Sequence, residues 1–218
     1  MVQKIEASQK SDIIYPESDG KPMAENTEQF TWIVVIKENL EILFANNAEV
    51  FVAGDLLWYP VQGNNKLCQA PDALVVFGRP KGKRGSYKQW EEDNLPPQVV
   101  FEVLSPGNTL KEMAKKLQFY DRYGVEEYYL YDPDRIDLNG WQRSDTRLNV
   151  IEQMNGWVSP RLGIRFEMTD SGLEIYRPDG RKFLTPVELD QRAQAAEQRV
   201  QRLEARLREL GIDPEQVQ

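Results

Sequence analysis

The segment QVVFEVLSPGNTLKEMAKKLQFYDRYGVEEYYLYDPD, residues 98–134, reads as a strand, a helix and a second strand in succession. Residues 99–104 form a nearly continuous apolar run, which is typical of a strand buried inside a sheet. Thr109 and Glu112 form a T-x-x-E capping box that predicts the start of a helix, and Gly124 predicts its end. The run YYLYDPD predicts the second strand. A right-handed crossover between two parallel strands requires this order of elements.

Two carboxylates interrupt apolar runs of the sequence. Glu102 is the one charge in the run 99–104, and Asp72 opens the run DALVVFG. A charged side chain is rarely buried unless it is paired or binds a metal, so both residues are candidates for an active site. Two alternatives stay open: Asp72 could begin a turn after Pro71, and Glu102 could face solvent from an edge strand.

The predicted helix carries three lysines, and helical geometry distinguishes them. Its apolar positions, including Met113 and Tyr120, cluster on one face at about 100° per residue. Lys116 lies at the edge of that face, one turn before Tyr120, whereas Lys111 and Lys115 point away from it. We therefore expect Lys116 to reach the end of the strand that carries Glu102. The alternative is a lysine stem packed on the core with its ammonium group in water.

The composition excludes several classes of catalytic site. The 218 residues include no histidine and one cysteine, Cys68. Ser-His-Asp and Cys-His triads, histidine-dependent nucleases, His or Cys zinc sites and CxxC redox pairs are therefore excluded. The remaining Asp, Glu and Lys chemistry suits a hard cation such as Mg²⁺, with Mn²⁺ as a substitute. Two carboxylates around a cation, with a lysine beside them, are suited to phosphodiester hydrolysis.

A basic loop follows the DALVVFG run. The net charge of −8 argues against nonspecific nucleic-acid binding by the whole surface. Between residues 79 and 90, however, no acidic residue occurs, and the loop carries the cations Arg79, Lys81, Lys83, Arg84 and Lys88. We expect this loop to bind the phosphates of a nucleic acid. A solvated connection is the alternative.

The apolar pattern divides the chain into four parts. Residues 1–23 are predicted to be a flexible or loosely docked lead-in, 24–186 a folded domain that begins with a helix, 187–212 a coiled-coil helix and 213–218 a tail. No apolar run approaches ~20 residues, and the first residues do not resemble a signal peptide. These features predict a cytoplasmic location and no membrane contact.

The last helix has the spacing of a coiled coil. Its apolar residues alternate steps of four and three positions, and they are Leu189, Ala193, Ala196, Val200, Leu203, Leu207 and Leu210. This is an a/d seam over about three heptads. We therefore expect a homodimer or a higher homo-oligomer that assembles through this helix.

Several motifs in order resemble those of the Uma-two (Uma2) family, restriction-endonuclease-like proteins of the PD-(D/E)xK nuclease superfamily. They are the PD at Asp72, EVLSP around Glu102, Lys116 four residues before Tyr120, and GVEEYYLYDPD. The resemblance covers about residues 24–166. It implies an α/β (α+β) fold with a mixed sheet flanked by helices.

The resemblance also implies a site. Asp72, Glu102 and Lys116 would be catalytic, with Asp72 and Glu102 as the metal ligands. Asp55 would be a fourth acidic member, although the residues alone favour a capping or loop acid at that position. The superfamily usually places its lysine two residues after the glutamate, where this chain has Leu104. The implied role of Lys116 therefore assumes that the lysine has moved to the following helix.

Glu25 lies near the apolar stripe of the first predicted helix. It could join the acidic cluster, but an acid favoured by the helix dipole explains it equally well.

Taken together, these motifs predict a Mg²⁺-dependent endonuclease that acts on DNA. A noncatalytic nucleic-acid-binding module of the same fold, or a coiled-coil scaffold without metal chemistry, are the alternatives.

Overall fold

A six-stranded mixed sheet forms the centre of the fold, in the strand order β1-β3-β5-β6-β7-β8. The computed structural model describes residues 13–20 and 22–213. The helices are α1 (Thr27–Leu43), α2 (Leu110–Arg122) and α3 (Pro186–Glu209). The strands are β1 (Val50–Ala53), β2 (Trp58–Tyr59), β3 (Ala73–Phe77), β4 (Tyr87–Lys88), β5 (Val99–Val103), β6 (Glu127–Asp132), β7 (Asp137–Ser144), β8 (Arg147–Val150), β9 (Arg165–Thr169) and β10 (Gly172–Tyr176). The predicted α/β (α+β) class, with a mixed sheet and flanking helices, is confirmed.

The predicted crossover is present. Strands β5 and β6 are parallel, α2 connects them, and the other neighbours in the large sheet are antiparallel. The capping box of α2 forms as expected, because Glu112 N donates to Thr109 Oγ1 at 3.3 Å while Glu112 Oε2 accepts from Thr109 N at 2.9 Å. This cap fixes where α2 begins and therefore which of its side chains face the sheet.

Two apolar clusters cover the two faces of the sheet. One includes Ile36 and Leu40 of α1 with residues of the β9–β10 hairpin such as Phe166. The other includes Phe119 and Tyr120 of α2 with Trp58, Tyr87 and Tyr128. The sheet is thus buried on both faces, as its near-continuous apolar strands require. Among the described residues, no helix is long and apolar enough to cross a membrane.

Strand β5 shows how the sheet positions a charge. Successive side chains of a strand point to opposite faces. Phe101 and Val103 belong to the cluster on the α1 side, whereas Val100 belongs to the cluster on the α2 side. Glu102 therefore points to the α2 side, and it is 2 % exposed.

The N-terminal segment that the sequence predicts to be flexible or loosely docked is docked in part. Tyr59 donates its hydroxyl to Pro16 O at 2.8 Å, and Asn65 Nδ2 donates to Ile14 O at 2.8 Å. The Tyr15 ring lies between those of Tyr59 and Trp90, with centroid distances of 5.1 and 4.9 Å. Residues 1–12 and the predicted tail from 214 onward lie outside the described residues.

Asn39 of α1 joins that helix to the segment that leads into α3. It is fully buried, and its Nδ2 donates to Val35 O at 2.8 Å and to Leu184 O at 2.7 Å. Its Oδ1 accepts from Leu184 N and from the Arg177 guanidinium, both at 3.1 Å. One side chain thus satisfies polar groups from three parts of the chain, two of them outside its own helix.

Replacing Asn39 with alanine should lower the free energy of unfolding by about 2–3 kcal/mol, because it leaves buried donors and acceptors without partners. Urea unfolding monitored by circular dichroism measures the change. Asn149→Ala is the matched control, because the Asn149 side chain is exposed and donates only to Arg147 O of its own strand. Equal stability of the two variants would show that the Asn39 contacts contribute nothing.

Candidate active site

Asp72 and Glu102 lie side by side at one end of the sheet. In the antiparallel pairing of β3 with β5, Ala73 is opposite Phe101. One further step in this register sets Asp72 opposite Glu102, and both then point to the α2 side. The backbone N of Val103 donates to Asp72 Oδ2 at 2.6 Å, which fixes that carboxylate against the end of β5.

Helix α2 supplies two groups to the Glu102 carboxylate. Lys116 Nζ donates to Glu102 Oε2 at 2.7 Å, and the Tyr120 hydroxyl donates to Glu102 Oε1. Residues four apart on a helix lie on one face, so a single turn of α2 binds both oxygens. The Lys116 side chain is 23 % exposed, in contrast to the buried Glu102. Of the three helix lysines, the one that the sequence singles out forms this pair.

Burial and neighbouring charges shift the pKa values of Asp72 and Lys116. Burial raises the pKa of Asp72 well above its ordinary value, and the charge of Glu102 raises it further. Burial lowers the pKa of Lys116, but the charge and hydrogen bond of Glu102 outweigh it, so the net pKa is raised. Without a bound cation, burial and the charge of Glu102 therefore both disfavour the ionised form of Asp72.

Asp55 lies at the same end of the sheet, after β1. Its backbone N donates to Pro71 O at 3.1 Å, and its φ of 49° is in the left-handed region. The residue is exposed, yet it lines the same cavity as Asp72. Desolvation raises its pKa, and the charge of Asp19 contributes. The structure thus brings Asp55 to the site, although in the loop position that the residues alone favoured.

A polar cavity of about 300 Å³ opens at this end of the sheet. Its lining includes Asp55, Asp72, Lys116, Glu25 and Lys115. Lys115 was expected to point away from the site, but it also lines the cavity. The cavity brings the acidic groups and the lysines to one solvent-accessible surface, where a polar ligand would meet them.

Glu25 belongs to the site, although the sequence did not distinguish it from a helix-dipole acid. Its Oε2 accepts from Ser105 Oγ at 2.5 Å, and its backbone N donates to Gln29 Oε1 at 2.8 Å. Gln29 in turn donates to Val103 O at 2.9 Å. The sequence signal was its place directly before Asn26, the N-cap of α1. Only the tertiary structure shows that this N-cap lies beside the β5–α2 loop.

The donor set of the site fits a hard cation. Asp72 and Glu102 offer carboxylate oxygens, and a bound cation would offset the burial and the Glu102 charge that raise the pKa of Asp72. Among the described residues, no group of three or more His, Cys, Asp or Glu side chains is arranged to hold a metal ion. A cation bound between Asp72 and Glu102 would therefore complete its coordination with water or substrate oxygens.

The basic loop is largely neutralised by the chain itself. Arg79 pairs with Glu92 at 2.9 Å and also with Asp93, and Arg84 pairs with Glu92 at 2.6 Å. Arg84 also lies 4.0 Å from the centroid of the Phe51 ring. Both arginines therefore have a structural role whether or not they also contact a nucleic acid. The acidic partners come from outside the acid-free loop, so the sequence pattern did not indicate them.

The lysines of the basic loop are more available to a nucleic acid than its two arginines, because the ion pairs of the lysines are weaker or absent among the described residues. Lys81 pairs with Glu41 at 3.2 Å and Lys88 with Glu91 at 3.5 Å, and all four side chains are partly exposed. Lys83 is exposed and forms no ion pair within the described part of the chain. Ion pairs at a surface contribute about 0–1 kcal/mol, so a phosphate could displace either acid.

One family of known proteins matches most of this chain. The model of the Uma2 family, described as "Putative restriction endonuclease", matches residues 17–171. The chain belongs to the Uma2 family. Its sheet, the crossover helix α2 and the Asp72–Glu102–Lys116 group all lie within the matched part of this Uma2 protein.

A solved structure similar to this Uma2 protein is a "putative nuclease belonging to DUF820" from Anabaena variabilis ATCC 29413. The two sequences are 14 % identical and the TM-score is 0.48, over 64 % of this chain and 74 % of that one. No curated protein matches the chain.

The unequal roles of the two carboxylates predict opposite effects on stability in the absence of metal. Asp72→Asn should raise the free energy of unfolding by about 1 kcal/mol, because it removes the repulsion from Glu102 while an amide oxygen still accepts from Val103 N. Glu102→Gln should lower it by about 2 kcal/mol, because the ammonium group of Lys116 loses its counter-charge. Urea unfolding in EDTA measures both. Similar losses in the two variants would contradict this assignment.

Proposed function

We propose that this Uma2 protein is a Mg²⁺-dependent endonuclease that hydrolyses phosphodiester bonds in DNA, with Mn²⁺ as a possible substitute. The observation that supports the proposal is the convergence of Asp72, Glu102 and Lys116, of which Asp72 and Lys116 line a polar cavity while the buried Glu102 lies directly behind Lys116. Membership of a restriction-endonuclease-like family supports the same class of reaction.

Asp72 and Glu102 are the proposed metal ligands. Oδ2 of Asp72 accepts from Val103 N, whereas its Oδ1 accepts no hydrogen bond from the described residues and is available to a cation. Each oxygen of Glu102 accepts one hydrogen bond and keeps a further lone pair. When bound, Mg²⁺ supplies Lewis acidity toward a phosphoryl oxygen and lowers the pKa of water. Asp55 is proposed as an additional acidic group facing the same cation or its waters.

Lys116 is proposed to act on the substrate. Its ammonium group has three N–H donors, and Glu102 accepts one of them. A second donor can point to a phosphate oxygen or to the attacking water, where it stabilises the negative charge of the transition state. Tyr120 positions Glu102, because its hydroxyl bonds the other carboxylate oxygen and its side chain is fully buried. Docking of α2 thus holds lysine and carboxylate in a fixed relation.

The loop lysines are proposed to bind phosphates of the DNA on either side of the cleaved bond. Arg79 and Arg84 could contribute charge, but their pairs with Glu92 make a structural role the larger one. Since the whole chain carries a net charge of −8, binding depends on such local positive groups. Assembly of the protein into a homodimer through α3 is a separate proposal, argued below.

A noncatalytic nucleic-acid-binding module is the second candidate. Lys116 and Tyr120 donate hydrogen bonds to the two oxygens of Glu102. These bonds form without a metal, so they would be kept in a protein that no longer cleaves DNA. Such a module would bind DNA through the loop without divalent ions. Binding and cleavage must therefore be measured on the same preparations.

In the cleavage test, purified protein should nick or linearise plasmid DNA only with Mg²⁺ or Mn²⁺, and these ions should raise its melting temperature. Asp72→Asn and Glu102→Gln should lose both effects. Lys116→Ala should retain the metal-induced shift and slow cleavage by about 10²-fold. Lys111→Ala is the control, because Lys111 is exposed on the same helix and does not line the cavity.

The cleavage test also separates the candidates. DNA binding by the parent protein, without a metal-induced shift and without cleavage, would favour the noncatalytic module. Absence of binding, metal response and cleavage together would refute both functions.

The loop proposal predicts a change in salt dependence. Replacing Lys81, Lys83 and Lys88 with alanine should weaken DNA binding at every sequence and reduce the slope of log K against log salt by about 0.9 for each lost contact. The control replaces three cations outside the loop, Lys66, Arg135 and Arg147, and changes the net charge equally. Fluorescence anisotropy at several salt concentrations measures the slope. Equal slopes for the two triple variants would show that net charge, and not the loop, controls binding.

A further inference from the structure

Helix α3 leaves the domain with an apolar seam in solvent. Every residue of α3 is exposed except Leu189, Glu204 and Leu207, which are half-buried. Within the seam, Val200 and Leu203 are 53 % and 56 % exposed. Their regular spacing, and the absence of any side chain from the rest of the chain that covers them among the described residues, indicate a partner helix.

The charges beside the seam follow a strict pattern. With Leu189, Ala196, Leu203 and Leu210 at d positions, the a positions are Ala193, Val200 and Leu207. All three g positions are then basic, and they are Arg192, Arg199 and Arg206. All three e positions are acidic, and they are Asp190, Glu197 and Glu204. The two flanks of the seam thus carry opposite charge along its whole length.

Several of these flanking charges have no counter-charge within the monomer. Arg192, Arg199 and Glu197 form no ion pair in the part of the chain that the structure describes. Arg206 and Glu204 pair only with outward residues of their own helix, Glu209 at 2.7 Å and Arg208 at 3.4 Å. The g and e charges are therefore available to a second helix.

The charge pattern selects both the partner and its direction. In a parallel pair of helices, each g residue faces the e residue five positions later on the other chain. Two copies of α3 in register would pair Arg192 with Glu197 of the partner subunit, and Arg199 with Glu204 of the partner subunit. In an antiparallel pair, g faces g and e faces e, so arginine would oppose arginine and acid would oppose acid. The same sequence thus attracts itself in one direction and repels itself in the other.

We propose that α3 forms a parallel, in-register, two-stranded coiled coil with α3 of a second copy of this chain. Val200 at an a position with Leu189 and Leu203 at d positions is the combination that favours two strands. The small seam residues Ala193 and Ala196 make the pairing modest in strength, so dimerisation depends on protein concentration.

The direction of the pair has a structural consequence. Because each domain precedes its α3, a parallel coiled coil places both domains at the same end, whereas an antiparallel one would place them at opposite ends. Both candidate active sites would then belong to domains at the same end of the dimer. The proposal itself does not depend on the proposed function, since its tests measure association and not cleavage.

The first test introduces a cysteine into the seam of the full-length protein, in a Cys68→Ser background. Ala196→Cys at a d position should form an intermolecular disulfide on mild oxidation, because identical d residues face each other in a parallel, in-register dimer. In the antiparallel alignment that matches a with d layers, position 196 faces 207, so two copies of 196 are separated by about 16 Å, beyond disulfide reach. Gln198→Cys, at the outward f position, is the control and should form no intermolecular disulfide, because the two f positions of a parallel pair point away from each other.

The second test reverses the flanking charges. Arg192→Glu with Arg199→Glu should abolish self-association, and so should Glu197→Arg with Glu204→Arg, because each variant carries like charge on both flanks. Light scattering should give 25.3 kDa for either variant alone and twice that mass for the parent and for an equimolar mixture of the two variants. Thermal melts of the domain check that both variants fold, which α3 permits because it is exposed.

The outcomes are distinct. A disulfide dimer of the Ala196→Cys variant, with loss and rescue of the double mass in the charge variants, supports the proposal. A monomeric parent, a trimeric or larger mass, or equal cross-linking of Ala196→Cys and Gln198→Cys overturns it. A parent dimer that persists in both charge-reversed variants overturns it as well, because the g and e charges would then not control pairing.

Discussion

The ion pair between Glu102 and Lys116 is the interaction around which the site is built. A carboxylate 2 % exposed at the end of a central strand would be strongly unfavourable without a counter-charge. Lys116 supplies the charge and Tyr120 supplies a second hydrogen bond, so the strand can end in an acid without losing its place in the core. The pair also fixes α2 against the sheet, since both groups lie on one face of that helix. Asp72 then lies beside this paired acid, where burial and the charge of Glu102 raise its pKa well above the ordinary value.

One face of the sheet carries the candidate site, and the other face is covered by the larger apolar cluster. Strands β3 and β5 bring two acids together by register alone, and the loop after β5 leads into the helix that neutralises one of them. On the opposite face, residues of α1 and of the β9–β10 hairpin pack against the sheet and bury its apolar side chains. Asn39 then links α1 to the segment before α3. The core and the site therefore share the same strands, and a change in sheet register would displace both acids together.

Local patterns in the sequence were enough to predict the central part of this arrangement. Three features are local: the capping box of Thr109 and Glu112, the apolar run around Glu102, and the position of Lys116 on the face of its helix. Each depends only on residues within one helix or one strand, so each could be predicted without the tertiary structure. Glu41, which pairs with Lys81, could not be identified in this way because it lies on α1, remote in sequence from the loop. Glu92 and Asp93 follow the loop directly, but the sequence pattern does not show that the loop folds back so that Arg79 and Arg84 pair with them. The sequence left the role of Glu25 open and did not identify the contacts of Tyr15, since the partners of both residues are remote in sequence.

The capped start of α2 makes the segment between Thr109 and Lys116 intolerant of changes in length. These residues are separated by about two helical turns, and each inserted or deleted residue rotates everything that follows by about 100°. A single insertion there would turn Lys116 away from Glu102 and present a different side chain to a buried carboxylate. The loop at residues 61–66 is mostly exposed and lines no part of the cavity, so a change in its length would not rotate Lys116. Natural length variation in related chains should therefore accumulate in that loop and be absent from the first two turns of α2.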